Sequence, residues 1–269
     1  MSNWQKQLDE PLFEDILWSR PQRKSQAGKL LIVGGNKFDF ARVQESHKLA
    51  LSAGIGEIKV ILPKPLQKLI GLQEDIFYLP ATEGGSFSDE GYSELLGFAD
   101  WADGVLIAGE VSRNSETVLM LRRFAMSWSG KLGLTHDALD QLANDRVFAE
   151  RDSTLLVGGL GQFQRLASTY GSDAAIKFSD NLDQLVASIS SATTLTNHAW
   201  ITAHDSWISA CFQEQTISTK TGSPPENWRT PVATASMVHW IQNPTKQLPA
   251  AATAIFEFAH PQASGKTAA

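Results

Sequence analysis

Gly28-Lys29-Leu30-Leu31-Ile32-Val33-Gly34-Gly35-Asn36, then Ala41 to Ala53, then Glu57-Ile58-Lys59-Val60-Ile61-Leu62, is the stretch that decides the fold. A short, wholly apolar run stopped by paired glycines reads as a buried strand. The following segment carries Val43, His47, Ala50 and Gly54 along one side of a helix, and Gly54-Ile55-Gly56 ends it. A second apolar run, closed by Pro63, is the next strand. Strand, glycine turn, helix, strand is a βαβ unit, the element of a parallel sheet.

The same grammar continues down the chain. Ile76–Leu79, Gly104–Ala108, Lys131–Leu134, Thr154–Val157 and Ala174–Phe178 read as strands, and 88–98, 114–128, the stretch ending at Tyr170, and 181–194 as helices. From Ala199 the texture changes. Trp200–Ala203, Trp207–Phe212 and Gln215–Ser218 are short strands at hairpin spacing, an antiparallel meander. A loop rich in Thr, Gly and Pro, 219–230, precedes two closing helices at 231–242 and 248–260. The expected fold class is therefore α/β. It has three layers, a mostly parallel central sheet covered by helices on both faces, with antiparallel strands near the C-terminus. One domain is expected at 28–260. Residues 1–27 are expected as an N-terminal helical extension, broken at Pro11, and 261–269 as a disordered tail.

Composition narrows the function classes. The 269 residues carry a formal charge of −6, which opposes nonspecific binding to nucleic acid. Cys211 is the only cysteine, so neither an internal disulfide nor a cysteine-based zinc site can form. The first twenty residues lack the apolar core of a signal peptide, and no apolar run approaches the ~20 residues of a membrane span. A cytoplasmic protein without a membrane partner is expected. The eight tryptophans are expected to serve core and subunit-interface packing.

Ligands of open α/β sheets lie beyond the carboxyl ends of the strands. The turns to inspect are Gly34-Gly35-Asn36, Ala108 to Asn114, Thr135 to Leu139, and Gly158-Gly159-Leu160-Gly161. Paired glycines permit either close approach to a ligand or a plain tight turn. Asp137 at a strand-to-helix turn is either a site residue or a helix cap. Glycines opening a helix can offer N–H groups to a phosphate. The residues expected at a ligand site are Gly34, Gly35, Asn36, Asn114, Asp137, Gly158, Gly159 and Gly161. The six histidines show no metal-ligand spacing, no Gly-x-Ser-x-Gly elbow occurs, and neither a catalytic nor a metal-binding residue is assigned.

The order of these turns resembles the ribokinase-like superfamily and, within it, the carbohydrate kinase-related ADP- or ATP-dependent NAD(P)H-hydrate dehydratases. Gly28 to Asn36 is similar to that family's opening strand and Gly-Gly-Ser turn, and Ala50 to Gly56 to its Ala-x-x-x-Gly-x-Gly helix end. Ala102 to Ile107 with Arg113-Asn114 resembles the surroundings of its Gly-Pro-Gly-Leu-Gly loop. Thr135 to Leu139 resembles Asp-Ala-Asp-Ala-Leu, and Val157 to Leu166 resembles Thr-Pro-His-x-Gly-Glu-Phe-x-Arg-Leu. The resemblance implies an adenine nucleotide or an NAD(P)H-like small molecule as ligand. It implies ADP or ATP with Mg²⁺ if the ancestral site is retained, and a homo-oligomer.

The departures from the family pattern fall on its chemistry. Glu110 stands in the glycine-rich loop, Thr135 replaces the first aspartate, and Gly159 and Gln162 replace a histidine and a glutamate. The family opens a late helix with Gly-x-Gly-Asp, whose N–H groups hold phosphate and whose aspartate is the base. Here Thr230-Pro231-Val232-Ala233 occupies that place, and no aspartate follows Asp205. Proline offers no N–H and valine disfavours positive φ. The expected function is a diverged homologue without the family's catalysis, acting as a binding or scaffolding module. The alternative is a nucleotide-dependent dehydratase or small-molecule kinase with a rebuilt site, for which Glu226 is the only nearby carboxylate that could substitute; the His204-Asp205 pair, on a turn, reads as solvated.

Overall fold

Leu31 and Val33 enter one apolar cluster and Leu30 and Ile32 another, and all four are fully buried. Such a strand is covered on both faces, which dictates a three-layer architecture. The computed structural model describes residues 3–18 and 20–264. Its elements are β1 (Asn3–Gln7), α1 (Glu14–Trp18), β2 (Lys29–Gly34), α2 (Ala41–Ala53), β3 (Glu57–Pro63), α3 (Gln67–Ile70) and β4 (Ile76–Leu79). Then follow α4 (Tyr92–Trp101), β5 (Gly104–Gly109), α5 (Ser115–Ser127), β6 (Lys131–Thr135), α6 (His136–Leu142), β7 (Thr154–Val157) and α7 (Leu160–Thr169). The last are α8 (Leu182–Thr193), β8 (His198–His204), β9 (Trp207–Phe212), β10 (Gln215–Lys220), α9 (Arg229–Gln242) and α10 (Gln247–Ala259).

The strands form one sheet in the order β1-β10-β9-β8-β7-β6-β5-β2-β3-β4. Pairing is parallel except for the two antiparallel junctions β8–β9 and β9–β10. Helices α4 to α8 cover the face carrying Leu31, Val105, Ile107 and Trp200. Helices α2, α9 and α10 cover the face carrying Leu30, Leu106, Val157 and Ile201. The α/β class and the antiparallel C-terminal strands are as the sequence predicts.

Strand β2 pairs with β3 on one side and β5 on the other. The winding reverses between β2 and β5, and their carboxyl ends flank a crevice. Gly34 serves this junction directly. A Cβ there would stand 2.5 Å from the Gly109 carbonyl oxygen. The register also shifts at this point, and Gly35 donates its N–H to the same oxygen at 3.1 Å. The paired glycines therefore let two strands close on one another.

Three expectations are corrected. Among its described residues the N-terminal extension is α-helical only at Glu14–Trp18, with a 3-10 turn at Lys24–Gln26, because Asn3–Gln7 instead adds β1 to the sheet edge, parallel to β10. Its side chains are polar yet well placed, with Gln7 Nε2 donating to Thr219 Oγ1 and to the Ala252 carbonyl. Ala174–Phe178 is irregular, since β8 takes the place beside β7; Ile176 is buried while Phe178 projects outward. In the tail, Pro261–Ser264 forms a 3-10 turn, and 265–269 lie outside the described residues. No helix of the described residues is long and apolar enough to cross a membrane.

Candidate functional site

An open cleft of about 660 Å³ lies over the carboxyl ends of β2, β5, β6 and β7. Asn36, Asp39 and Arg42 reach it from the β2–α2 turn and the first turn of α2, and Glu110 from the loop after β5. His136, Asp137 and Asp140 line it from α6, Gly159 to Gln162 and Arg165 from the start of α7, and Arg229 from the head of α9. Phe178 stands at its margin, 70% exposed. Trp228 does not cross the cleft; it is packed into the core under α9.

The backbone donors at the cleft are directed at the protein's own side chains. In the loop after β5, Glu110 (φ 60°) and Ser112 (φ 71°) adopt left-handed geometry around Val111, which turns successive N–H groups inward as an anion-binding nest does. The anion in it is Asp137, whose Oδ1 accepts the Glu110 N–H at 2.5 Å. Helix α2 is treated similarly. Asp39 Oδ1 accepts the Ala41 N–H at 3.2 Å, and both oxygens of Glu110 accept the Arg42 N–H at 3.3 Å. At α7, Gln162 Oε1 accepts the Gly159 N–H at 3.0 Å, while its Nε2 donates to the His136 carbonyl and to Asp140. Helix α9 begins Arg229-Thr230-Pro231-Val232, with the side chains of Thr230 and Val232 fully buried.

Charge is crowded here. Burial pushes the Glu110 carboxyl up to about 7, and the neighbouring Asp39 charge adds to the rise. Burial, reinforced by the Arg42 and Arg229 charges, lowers His136 to about 3, so the ring stays neutral and its Nε2 pairs with Thr230 Oγ1 at 3.0 Å. Asp137 is raised by burial, against the N–H groups that hold its charged form. Arg229 is lowered by burial and by the Arg42 charge. Arg165 is ion-paired to Asp140 at 2.6 Å.

Of the residues expected at a ligand site, Asn36, Asp137, Gly159 and Gly161 line the cleft. Asn36 Nδ2 donates to the Glu110 carbonyl, tying the two loops together. Gly34 and Gly35 sit behind it in the β2–β5 junction, and Gly158 donates its N–H to Ile201. Asn114 caps α5, its Oδ1 accepting the N–H groups of Glu116 and Thr117. Glu226 is exposed outside the cleft lining, and His204 and Asp205 lie at the β8–β9 turn with His204 bonded to the Asp180 carbonyl. Sequence reasoning passed over Arg42, Arg165 and His136. Their signal was position, each standing within a turn or two of a strand's carboxyl end. Among the described residues, no group of three or more His, Cys, Asp or Glu side chains converges to hold a metal.

No family model matches the chain, and no curated protein matches it. Solved structures do. A ribokinase-like superfamily protein from Enterococcus faecalis V583 superposes with a TM-score of 0.69 at 15% identity, over 95% of this chain and 87% of its own. A hypothetical protein from Streptococcus mutans gives 0.70 at 15% identity, over 95% and 90%. The ADP/ATP-dependent NAD(P)H-hydrate dehydratase of Bacillus subtilis, co-crystallised with ATP and Mg²⁺, gives 0.60 at 12% identity, over 93% and 87%. At such identities the likeness speaks for the fold alone, and that fold is a ribokinase-like α/β fold.

Proposed function

We propose that the chain is a diverged homologue of the ADP/ATP-dependent NAD(P)H-hydrate dehydratases that keeps a ligand cleft without the family's catalysis, and that it acts as a binding module. The observation that carries this reading is the first turn of α9, Arg229-Thr230-Pro231-Val232. It has no glycine to admit a phosphate, an imino acid where an N–H is wanted, and no carboxylate to serve as base. Losing a positioned base costs about 10²–10⁴-fold in rate, and losing an oxyanion donor about 3 kcal/mol more. The self-satisfied donors of α2, α7 and the loop after β5 point the same way. The open cleft argues that binding outlived chemistry, since a purely structural remnant is free to fill with side chains.

The second reading, an enzyme with a rebuilt site, has one observation in its favour. Glu110 lines the cleft with a carboxyl pushed up to about 7, in the range where a general base works well. The test is to incubate the purified chain with hydrated NADPH and either ADP or ATP, with Mg²⁺, following the return of NADPH absorbance. No turnover above the uncatalysed rate is expected; turnover abolished by Glu110→Gln would establish the second reading. The resemblance also brings a homo-oligomer into the proposal, to be read by light scattering on the same sample.

A further inference from the structure

We propose that the outer edge of β4 is a dimerisation surface, on which a second copy of this chain pairs its own β4 antiparallel about a twofold axis. Two ten-stranded sheets would thereby join into one. The proposal rests on the homo-oligomer in the reading above and names the surface that forms it.

The two edges of the sheet are built differently. On one side β1 ends it with Asn3-Trp4-Gln5-Lys6-Gln7, and a lysine among amides discourages pairing with another chain. On the other side β4 ends it with Ile76-Phe77-Tyr78-Leu79, which is uncharged and apolar, and its first three residues are only half-buried. Its register with β3 is continuous, and it holds neither lysine nor proline to blunt it. Beside it, around the end of α3, Leu69 and Leu72 are 71% and 83% exposed. Ile70 of the same helix packs on the α2 side of the sheet, as Ile76 and Tyr78 do.

The backbone fixes the register. Asp75 turns its carbonyl to β3, accepting the Val60 N–H at 2.8 Å. Backbone groups alternate along a strand, so Ile76 and Tyr78 direct theirs outward. The Ile76 N–H meets the Gln73 carbonyl at a long 3.4 Å. A twofold axis normal to the sheet keeps each face on its own side, so a residue must oppose itself or one an even number away. Centring on Phe77 sets Ile76 against Tyr78 of the second copy, and these residues exchange about four hydrogen bonds across the seam. Centring on Tyr78 would set Ile76 against Pro80, which has no N–H to give.

A second copy is the occupant because this register suits the chain to itself. Glu74 and Asp75 fall opposite Pro80 and Leu79 of the second copy, away from their own counterparts. Pro63 pairs with Leu79, so Lys64 stands at the same end as Pro80, and hence toward Glu74 of the second copy. Phe77 meets Phe77, and the exposed leucines of both copies gather on one side of the seam. A closed twofold contact of this kind uses one patch twice.

The test is light scattering on the full chain, combined with directed cross-linking. The wild type is expected at twice the 29.4 kDa of one chain. Phe77→Cys should cross-link two copies under mild oxidation, because residues facing one another in such a pair have Cα atoms about 4.5 Å apart, within disulfide reach. Cys211 is buried and does not compete. Gln73→Cys, whose counterpart in this register is Ala81, should stay uncross-linked. Tyr78→Pro removes an outward N–H and Leu72→Lys charges the seam. Each loss occurs twice across the axis and should weaken the dimer about tenfold or more. If Phe77→Cys or Tyr78→Pro fails to fold by circular dichroism, Leu72→Lys decides. A monomer at every concentration would overturn the proposal and leave the edge to an extended segment of another protein. A dimer insensitive to the substitutions, or cross-linked through Gln73→Cys in place of Phe77→Cys, would also overturn it, while the homo-oligomer of the wider reading would stand.

Discussion

Glu110 shows how a residue lining the cleft can also hold the fold. Its left-handed backbone directs the carboxylate onto the start of α2. The carboxyl, ordinarily near 4.5, is pushed up to about 7 by burial. The folded protein thus holds a proton that the unfolded chain has released between those values, and stability falls as pH rises through that window. Glu110→Gln keeps an oxygen to accept the Arg42 N–H and removes the titration. Its melting temperature relative to wild type should climb between about pH 4.5 and about 7 and stay level outside. A constant difference across that range, by scanning calorimetry, would show that Glu110 titrates normally. The replacement itself was visible in the sequence. That Asp137 would fill the adjoining nest was not, because it depends on β5 and β6 lying side by side.

At the scale of elements, α9 opens with residues that serve packing. Pro231 suits a first helical turn, and Thr230, Val232 and Ala233 are buried in the core. Ala233 therefore faces packing, so an acid placed there should destabilise the protein. Ala233→Asp should cost at least about 2 kcal/mol, a fall in melting temperature of roughly 4 °C or more for a chain of this size. A variant as stable as wild type would mean that position 233 opens to the cleft. Helices α2, α4, α5, α7, α8, α9 and α10 and the β2–α2–β3 unit were legible because their apolar patterns are local and strong. Ala174–Phe178 was misread for the same reason. Its Ile176 is apolar and buried, yet strand identity requires a partner, and β8 already holds the edge of β7.

For the molecule as a whole, the carboxyl ends of the parallel strands fixed the place of the cleft in advance, while the charges lining it came together only with the tertiary fold. Strand β1 lay beyond local reading altogether. Asn3-Trp4-Gln5-Lys6-Gln7 has neither apolar alternation nor β-branched residues, and its pairing with β10 is a long-range event. Gln7 binds this edge down. It is 1% exposed, donates to Thr219 Oγ1 and the Ala252 carbonyl, and accepts the Leu12 N–H. Gln7→Ala should cost about 1–3 kcal/mol and speed amide exchange in β1 and β10 together, measured by hydrogen–deuterium exchange. Exchange faster in β1 alone would show the two strands uncoupled.

The same pairing imposes an order on biosynthesis. Gln7 and Thr219 are 212 residues apart, so β1 leaves the ribosome long before β10 exists. The five residues of β1 stay unmatched until β10 is made. Their glutamines and lysine are what such a wait favours, being poor material for premature association with other chains.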